Sequence, residues 1–323
     1  MKKKGLKQEK IWLIMTGFSC NNNCVMCSTK PKSQNCFDRT SIEIKKDLFV
    51  GREKGYRRVE FTGGEVTIRP DILDLVKEAK KLDYKEIALS TNGRMLSYSG
   101  FCQKAIESGL NRVTFTLCAH NSHLGRAISR TPLSFEQTIQ GIKNIKKYSF
   151  IDVSVNTVPI KPNFQYLPEI GKLLLSLGVK AWNILDLIPD GYGLDFYKIL
   201  VVKMSDIHES FSGLKNIIKD FNLVTFFDFP LCLFPEDFHE NRHVNFITAE
   251  GRIDIEKQVG YNPKRFKKSK NDIYQDIHKK RIKVCHKCKF FKSCGGIWEN
   301  YLDLYGEKEV NSFIKKNNCL LKK

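Results

Sequence analysis

Short apolar runs alternate with amphipathic stretches along this chain up to Phe226. The apolar runs, which predict six β-strands, are residues 11–17, 58–62, 86–90, 112–117, 151–157 and 179–187. Apolar residues three or four positions apart predict helices over residues 41–54, 71–82, 99–108, 134–147, 167–177 and 205–220. Six parallel β-α units with right-handed crossovers would form a barrel or most of one, and periodicity alone does not separate this from an open doubly wound sheet.

The pattern changes after Phe226. Few helical repeats follow, five of the eleven cysteines lie there, and a basic linker covers residues 262–271. We therefore place a boundary near Asp228, which divides the chain into residues 1–227, a barrel-like α/β domain, and residues 228–323, a small cysteine-rich domain. Within the second domain, the amphipathic stretch 298–305 is predicted to pack back on the cysteines.

The composition is that of a folded protein with excess positive charge. The 323 residues include 54 Lys and Arg against 35 Asp and Glu, and the net charge of +19 would attract polyanions. Because the lysines are dispersed, nucleic acid is a less favoured partner. No apolar run approaches the roughly 18 residues of a membrane span, and the short run before Cys20 has no cleavage site, so we expect a soluble, cytoplasmic protein.

A cysteine-rich run follows the first predicted strand. Cys20, Cys24 and Cys27 form a C-x3-C-x2-C pattern. Three thiolates can hold three corners of an iron-sulfur cube, which leaves one iron open for a small molecule. A zinc knuckle or a redox pair would also use closely spaced cysteines. The odd number of cysteines and their tight clusters favour metal ligation over a disulfide framework.

A Gly63-Gly64-Glu65 turn ends the second predicted strand, where the sites of parallel α/β folds collect. Two glycines allow a ligand to approach the backbone closely, and a carboxylate beside them can hold an ammonium group. The C-x3-C-x2-C run and this turn together resemble those of the radical S-adenosylmethionine enzymes. The chain departs from the family's usual pattern at Met26, where an aromatic residue is usual, and at Val66, where proline is usual.

The resemblance implies a fold, a cofactor and its ligands. The fold would be a partial (β/α)6 TIM-like barrel. The three cysteines would hold a 4Fe-4S cluster whose open iron binds S-adenosyl-L-methionine, which is cleaved to a 5′-deoxyadenosyl radical. Gly63, Gly64 and Glu65 would bind the methionyl amine. Ser90 and Asn92, in a Ser-Thr-Asn-Gly sequence, would lie near the cofactor's carboxylate and ribose, although an ordinary turn has the same sequence.

Polar residues at the ends of the fourth and fifth predicted strands are further candidates. The loop after the fourth strand carries two histidines and two arginines, His120, His123, Arg126 and Arg130. They would bind a substrate or cofactor carboxylate, or remain solvated loop residues. Asn156 is either a cofactor ligand or a strand-end cap. Cys118 faces the predicted cavity, where its thiol could donate a hydrogen atom.

A second cysteine set lies near the carboxyl end. Cys285, Cys288 and Cys294 form a C-x2-C-x5-C pattern, and Cys232 is the expected fourth ligand, with Cys319 as its alternative. The pattern resembles the SPASM and twitch extensions of radical S-adenosylmethionine enzymes. Because the further cysteine of a full SPASM extension is missing, a single auxiliary 4Fe-4S cluster of twitch type is the better match. A zinc site would use the same thiolates.

These motifs predict an oxidoreductase or transferase that abstracts hydrogen from its substrate and uses an auxiliary cluster, with a maturase of ribosomally made peptides as the first hypothesis. Its partners would be a peptide or small-molecule substrate and an electron donor such as flavodoxin or ferredoxin. Since only nineteen residues precede Cys20, a separate leader-binding protein stays open. The alternatives are a tRNA-modifying or cofactor-building radical enzyme, and a non-catalytic zinc-ribbon nucleic-acid binder.

Overall fold

One curved sheet organises the chain in a computed structural model, which describes residues 11–29, 37–248, 279–317 and 319–320. The basic linker 262–271 and Cys36 lie outside the described residues. The strands of this sheet are β1 (Ile11–Met15), β2 (Arg58–Thr62), β3 (Glu86–Thr91), β4 (Arg112–Thr116), β5 (Asp152–Thr157), β6 (Ala181–Leu185), β7 (Leu223–Phe227) and β8 (Val244–Ile247).

The sheet is an open, curled partial barrel, which confirms the predicted fold class. Each strand pairs in parallel with the next strand of the chain, and no pairing among the described residues joins β8 to β1. The strand number differs, because the sequence predicts six strands and the sheet has eight. β7 and β8 lie where the helical repeats cease, so no alternation of strand and helix patterns marked them. The proposed boundary near Asp228 falls between these two strands, and the division into domains stays a prediction.

Eleven α-helices lie between the strands along the described part of the chain up to residue 248. They are α1 (Ser41–Glu53), α2 (Ile72–Lys81), α3 (Ser99–Glu107), α4 (Ser122–Ser129), α5 (Ser134–Ile145), α6 (Leu167–Ser176), α7 (Tyr192–Asp195), α8 (Tyr197–Leu200), α9 (Met204–Ser212), α10 (Lys215–Ile218) and α11 (Glu236–Glu240). α4 replaces a predicted loop, and the Oδ1 of Asn121 caps it by accepting the Leu124 N–H at 2.9 Å. The helix predicted over residues 205–220 is divided into α9 and α10.

Local sequence signals explain how α1 and α2 begin and pack. Thr40 and Glu43 form a reciprocal capping box at the start of α1, an arrangement worth about 1 kcal/mol to a helix. α2 buries the predicted apolar face, which consists of Ile72, Leu75, Val76 and Ala79. Both helices pack on the sheet through the residues that the periodicity selects.

The two faces of the sheet differ in polarity. Large apolar side chains fill the outer face, where the Trp12 indole donates to the Asp47 carbonyl of α1 at 2.9 Å and Trp182 is fully buried. Strand register assigns polar side chains to the inner face, namely Glu60, Thr62, Ser90, Thr114, Thr116, Ser154, Asn156, Asn183 and Thr225. The interior of the partial barrel, which we call the lumen, therefore carries many hydroxyl and amide groups beside apolar side chains such as Leu13, Met15 and Leu185.

The carboxyl-terminal segment returns to the barrel. β9 (Lys279–Lys280) pairs antiparallel with β10 (Ile297–Trp298), and α12 (Glu299–Lys316), interrupted at Gly306, follows. α12 packs on α9, where the Tyr301 hydroxyl accepts the Met204 N–H at 2.8 Å. The predicted amphipathic stretch is thus the start of a helix. None of the helices in the described ranges combines the length and the apolar character that a membrane crossing requires.

Candidate active site

The C-x3-C-x2-C run forms a loop at the carboxyl ends of the strands. The last residues of α4 hold the backbone of this loop. The Asn23 N–H donates to the Ser129 carbonyl at 3.0 Å, and the Val25 N–H donates to the Ile128 carbonyl at 2.9 Å. Because the carbonyls of the last helical turn have no partner within the helix, they are free to accept these bonds, and α4 fixes the middle of the cysteine loop. The sequence did not indicate this support, since α4 was predicted to be a loop.

The three thiols of this loop lie close together. Burial raises the pKa of the Cys24 thiol, and the negative charges of Cys27, Cys20 and Cys118 raise it further. Crowded thiolates repel one another unless a cationic centre lies between them, and an iron-sulfur core supplies such a centre. Three soft sulfur donors on one short loop therefore fit a cluster chemically. Within the part of the chain that the structure describes, no group of three Cys, His, Asp or Glu side chains has the arrangement of a bound metal ion.

The Gly63-Gly64 turn after β2 lies against the start of the cysteine loop. The N–H groups of Gly64 and Glu65 donate to the carbonyls of Gly17 and Ser19 at 2.9 and 2.8 Å. A Cβ on Gly63 would collide with the Gly17 carbonyl oxygen, and one on Gly64 with that of Ser19. The glycines are required for this close approach, and cofactor binding by their carbonyls stays a prediction.

The Glu65 carboxylate is engaged by protein groups. Its Oε1 accepts the N–H and the hydroxyl of Thr67 at 3.0 and 2.5 Å and the hydroxyl of Thr91 at 2.5 Å, and its Oε2 accepts the Asn92 N–H at 2.7 Å. The side chain is buried at 3% exposure. Glu65 thus joins the turn after β2 to the turn after β3, and a cofactor ammonium group would have to share these oxygens with donors already in place.

The turn after β3 contacts the cysteine loop directly. The Asn92 side-chain amide donates to Asn21 Oδ1 at 2.7 Å, so this predicted cofactor residue lies at the loop. Ser90 does not, because its hydroxyl donates to Glu60 inside the lumen. Sequence reasoning missed Arg94, whose Nη1 donates to the Asn21 carbonyl at 2.5 Å and to Asn22 Oδ1 at 3.2 Å. Its position two residues after the Asn92 turn was the only available signal.

Arg130, which directly follows α4, supports the same cysteine loop. It adopts a left-handed conformation with φ of 51°, and its Nε donates to the Asn23 carbonyl at 2.7 Å. Its guanidinium lies 4.6 Å from the ring centre of Tyr192, a cation-π contact that the sequence did not indicate. This arrangement supports the loop, and cofactor binding by Arg130 stays a prediction.

The other candidates near the fourth and fifth strands occupy different surroundings. The His120 ring lies against the Tyr166 ring in a tilted contact with the ring centres 4.8 Å apart, whereas His123 and Arg126 are exposed on α4. Asn156 lies in the lumen, where its Oδ1 accepts the Asn183 amide at 2.9 Å. These contacts give each side chain a structural partner or a solvated place and leave their ligand roles as predictions.

Cys118 lies beside the first cysteine set. Its thiol is buried at 6% exposure, and its Sγ accepts the Val158 N–H at 3.4 Å. Burial raises its pKa to about 11, so this thiol stays protonated at neutral pH. A protonated thiol retains the hydrogen atom that the predicted role requires.

The second cysteine set brings five thiols together. Burial raises the pKa of Cys232 well above its ordinary value, and the charges of four further cysteines add to this effect, Cys294, Cys319, Cys288 and Cys285. The Cys319 thiol also lies 3.6 Å from the Cys232 carbonyl. Both alternatives for the fourth ligand therefore reach the C-x2-C-x5-C triplet, and none of the ten described cysteines forms a disulfide.

Comparison with protein families and curated proteins gives consistent matches over the barrel. The family model of the Radical SAM superfamily matches residues 14–174. A probable GTP 3′,8-cyclase of Sulfurisphaera tokodaii is 29% identical over 201 residues, which are 62% of this chain and 61% of that protein. A protein of the same name from Sulfolobus acidocaldarius is 26% identical over 204 residues, 63% of each chain. This chain thus spans less than two thirds of these relatives' length.

Solved structures share the fold over a longer range. The structure of native anSMEcpe with bound AdoMet aligns with a TM-score of 0.60 at 15% identity, over 94% of this chain and 96% of that one. Streptococcus suis SuiB bound to S-adenosylmethionine aligns with a TM-score of 0.54 at 15% identity, over 74% of this chain and 50% of the other. At this identity the likeness concerns the fold.

Proposed function

Because this chain belongs to the radical SAM superfamily, we propose that Cys20, Cys24 and Cys27 hold a 4Fe-4S cluster whose open iron binds S-adenosylmethionine. When bound, this pair supplies a 5′-deoxyadenosyl radical that removes a hydrogen atom from the substrate. The observation that carries the proposal is the convergence of the glycine turn, the Asn92 turn and the end of α4 on one cysteine loop.

The residues around that loop would orient the cofactor. The carbonyls of the Gly63-Gly64 turn would accept hydrogen bonds from the methionyl ammonium group. The N–H groups of Gly64 and Glu65 already donate to the chain between β1 and the cysteines, which holds the turn in place. Glu65 and Arg94 would keep the turns and the cysteine loop in register through their buried hydrogen bonds. The Cys118 thiol would be the nearest hydrogen-atom donor to the cluster loop.

We further propose that the second cysteine set holds an auxiliary 4Fe-4S cluster. Its five thiols come from three separated parts of the chain that meet around Cys232, and thiolate-only donor sets suit iron-sulfur clusters or zinc. The fold alignment with anSMEcpe extends over nearly the whole chain and supports a common arrangement of this segment with the barrel. Flavodoxin or ferredoxin would supply the electron to the first cluster.

The lumen supports a peptide as substrate. At its amino-terminal end Arg58 and Arg112 lie near Glu86, at 2.7 and 3.7 Å, so acids already balance these two arginines. The rest of the polar lining consists of hydroxyl and amide groups with the carboxyl of Glu60, a set that can hydrogen-bond peptide groups. A triphosphate would instead require a group of uncompensated cations. We therefore propose a peptide maturase.

A second candidate is cyclisation of a purine nucleotide for cofactor synthesis. The curated relatives named probable GTP 3′,8-cyclases match this chain at 26–29% identity, and this match favours the candidate independently of the lumen. Basic residues of the carboxyl-terminal segment, such as Arg281, would then have to bind the phosphates. The two candidates differ in the charge of the substrate and can be separated directly.

Anaerobic reconstitution tests the proposal. We expect a brown protein with about eight irons per chain, which cleaves S-adenosylmethionine to 5′-deoxyadenosine when reduced with dithionite. The protein is then incubated with GTP, or with the peptide encoded beside its gene, and the products are analysed by mass spectrometry. Loss of two or more mass units from the peptide, or a new thioether or carbon-carbon link, would support the maturase. A GTP-derived product would support the cyclase, and a colourless zinc protein would contradict both.

A further inference from the structure

Residues 186–193, which follow β6 and include the first two residues of α7, contact both cysteine-bearing parts of the chain, and we call them the connecting loop. We propose that this loop, tied to the carboxyl-terminal segment by the Asp186–Trp298 hydrogen bond, positions the Cys27 end of the first cysteine loop. Asp186 and Trp298 are then positioning residues for the S-adenosylmethionine site, although neither belongs to it. The inference rests on the proposed function of the first cysteine set.

The first end of the connecting loop binds the carboxyl-terminal segment. Asp186 directly follows β6, and its Oδ2 accepts the indole N–H of Trp298 at 2.8 Å. Its Oδ1 accepts the Leu187 N–H at 2.9 Å, so both carboxylate oxygens have a fixed donor. Lys279 of β9 lies over the Trp298 ring at 4.4 Å and donates to the Asp228 carbonyl after β7 at 2.5 Å. β9 and β10 are thus held to two neighbouring strand ends of the barrel.

The second end of the connecting loop binds the first cysteine loop. The N–H groups of Tyr192 and Gly193 donate to the Cys27 carbonyl at 2.9 and 3.4 Å. A Cβ on Gly193 would collide with the Ile188 carbonyl and lie 3.4 Å from that of Met26, so a side chain would not fit here. Cys27 therefore has its carbonyl fixed by the connecting loop, whereas Asn23 and Val25 are fixed by α4.

The residues between these ends form a short, internally bonded turn. The Asp190 N–H donates to the Ile188 carbonyl at 2.8 Å, and the Gly191 N–H donates to Asp190 Oδ1 at 2.8 Å. Gly191 has φ of 54° and ψ of −134°, a conformation that glycine adopts readily. Because the turn is hydrogen-bonded internally, it moves as one unit. A shift of Asp186 would therefore displace Tyr192 as well.

Arg130 provides a second contact between the connecting loop and the first cysteine loop. Its guanidinium stacks on Tyr192 at 4.6 Å and on Phe196 at 5.3 Å, while its Nε holds the Asn23 carbonyl. Movement of Tyr192 would therefore act on the cysteine loop at two places, on its end at Cys27 through the backbone and on its middle at Asn23 through Arg130. This gives the carboxyl-terminal segment a continuous physical route to the first cysteine set.

Hydrogen exchange of the cofactor-free protein tests the connection without any cluster. In Trp298→Phe and in Asp186→Asn we expect the peptide that contains the Tyr192 and Gly193 amides to exchange about threefold to tenfold faster, because loss of the side-chain bond loosens the loop. The control is Asp195→Asn, an exposed acid on α7, which should exchange as the wild type does. Unchanged exchange in both Trp298→Phe and Asp186→Asn would overturn the inference.

Binding of S-adenosylmethionine to the reconstituted protein gives the second measurement. We expect Trp298→Phe to raise the dissociation constant about threefold to tenfold and to alter the electron paramagnetic resonance spectrum of the reduced first cluster, with full iron content. The double variant with Asp186→Asn should add little, since both changes break one bond. Additive effects, or wild-type affinity and spectrum, would refute the connection. If Cys24→Ala binds S-adenosylmethionine as well as wild type does, the proposed function fails instead.

Discussion

The two cysteine sets of this protein are built in opposite ways. The first set comes from one loop, and three other segments hold its backbone while its thiols stay partly exposed. The second set gathers five thiols from three separated parts of the chain around the buried Cys232. A local loop can present three ligands and leave one position open, whereas five converging thiols offer a closed shell. The contrast supports the proposed roles, cofactor binding for the first set and an auxiliary cluster for the second.

The aspartates that hold these two regions, Asp38 near the first cysteine set and Asp186 near the carboxyl-terminal segment, differ in burial and pKa. Asp38 accepts the N–H groups of Phe18 and Ser19 at 2.7 and 3.0 Å, just before the first cysteine. Asp186 holds Trp298 of the carboxyl-terminal segment. Asp38 is exposed and its pKa is lowered, while Asp186 is half-buried and its pKa is raised. The regions should therefore respond to pH with opposite signs.

The largest expected effect comes from Cys24→Ala. Because three thiolates are the minimum for a cube with an open iron, we expect 5′-deoxyadenosine formation to fall below detection and iron to drop from about eight to about four per chain. The measurements are chromatography of the nucleoside and a colorimetric iron assay. Cys102→Ala, which removes a buried thiol of α3, is the control. Persistent cleavage in Cys24→Ala would refute the open-iron site.

The next prediction concerns which cysteine, Cys232 or Cys319, is the fourth ligand of the second set. The charges of all four other thiols raise the pKa of Cys232, so this buried thiol lies close to each of them. We therefore expect Cys232→Ala to lose about four irons and Cys319→Ala to keep them, with 5′-deoxyadenosine formation retained in both. Iron analysis and visible absorption measure this. The reverse pattern would make Cys319 the ligand.

Sequence reasoning located the first region because its information is local. The cysteine spacing, the Gly63-Gly64 turn and the Asn92 turn are each contiguous, and they meet because parallel strands end at one edge of a sheet. The partners of Glu65 could not be predicted, since its four donors belong to two different turns. Nor could Arg94, whose contacts depend on how the cysteine loop is folded.

Sequence reasoning was weaker beyond β6. It grouped the cysteines of the second set by spacing, and their metal ligation stays a prediction. It did not see that β7 and β8 extend the sheet, because the alternation of strand and helix patterns is lost after residue 220. It also missed Asp186 and Trp298, which are 112 positions apart, so no local pattern joins them. Such contacts between distant positions can be known only once the chain is folded.

A smaller effect is expected from the pH dependence of Asp186. Burial raises its pKa to about 7, and Asp228 adds to the rise, while Lys279 and Trp298 oppose it. The native state therefore holds a proton more tightly than the unfolded chain, so this group's stabilisation is lost as pH rises from about 4 through 7. The unfolding free energy of Asp186→Asn relative to wild type should increase over that range, as measured by urea denaturation. A difference that is independent of pH would contradict the raised pKa.

The smallest effect, with the opposite sign, is expected at Asp38. Partial burial alone would raise its pKa, but hydrogen bonds from Ser19 and Phe18 and the charge of Arg69 together lower it. Its stabilisation is therefore present above pH 4 and lost as pH falls below that value, and solvent screening at this exposed site keeps it small. Asp38→Asn should lower the unfolding free energy slightly at pH 6 and have no effect near pH 3, in the same urea assay. Asp195→Asn serves as the control, and a loss that persists at pH 3 would show that the carboxylate charge is not what holds the start of the cysteine loop.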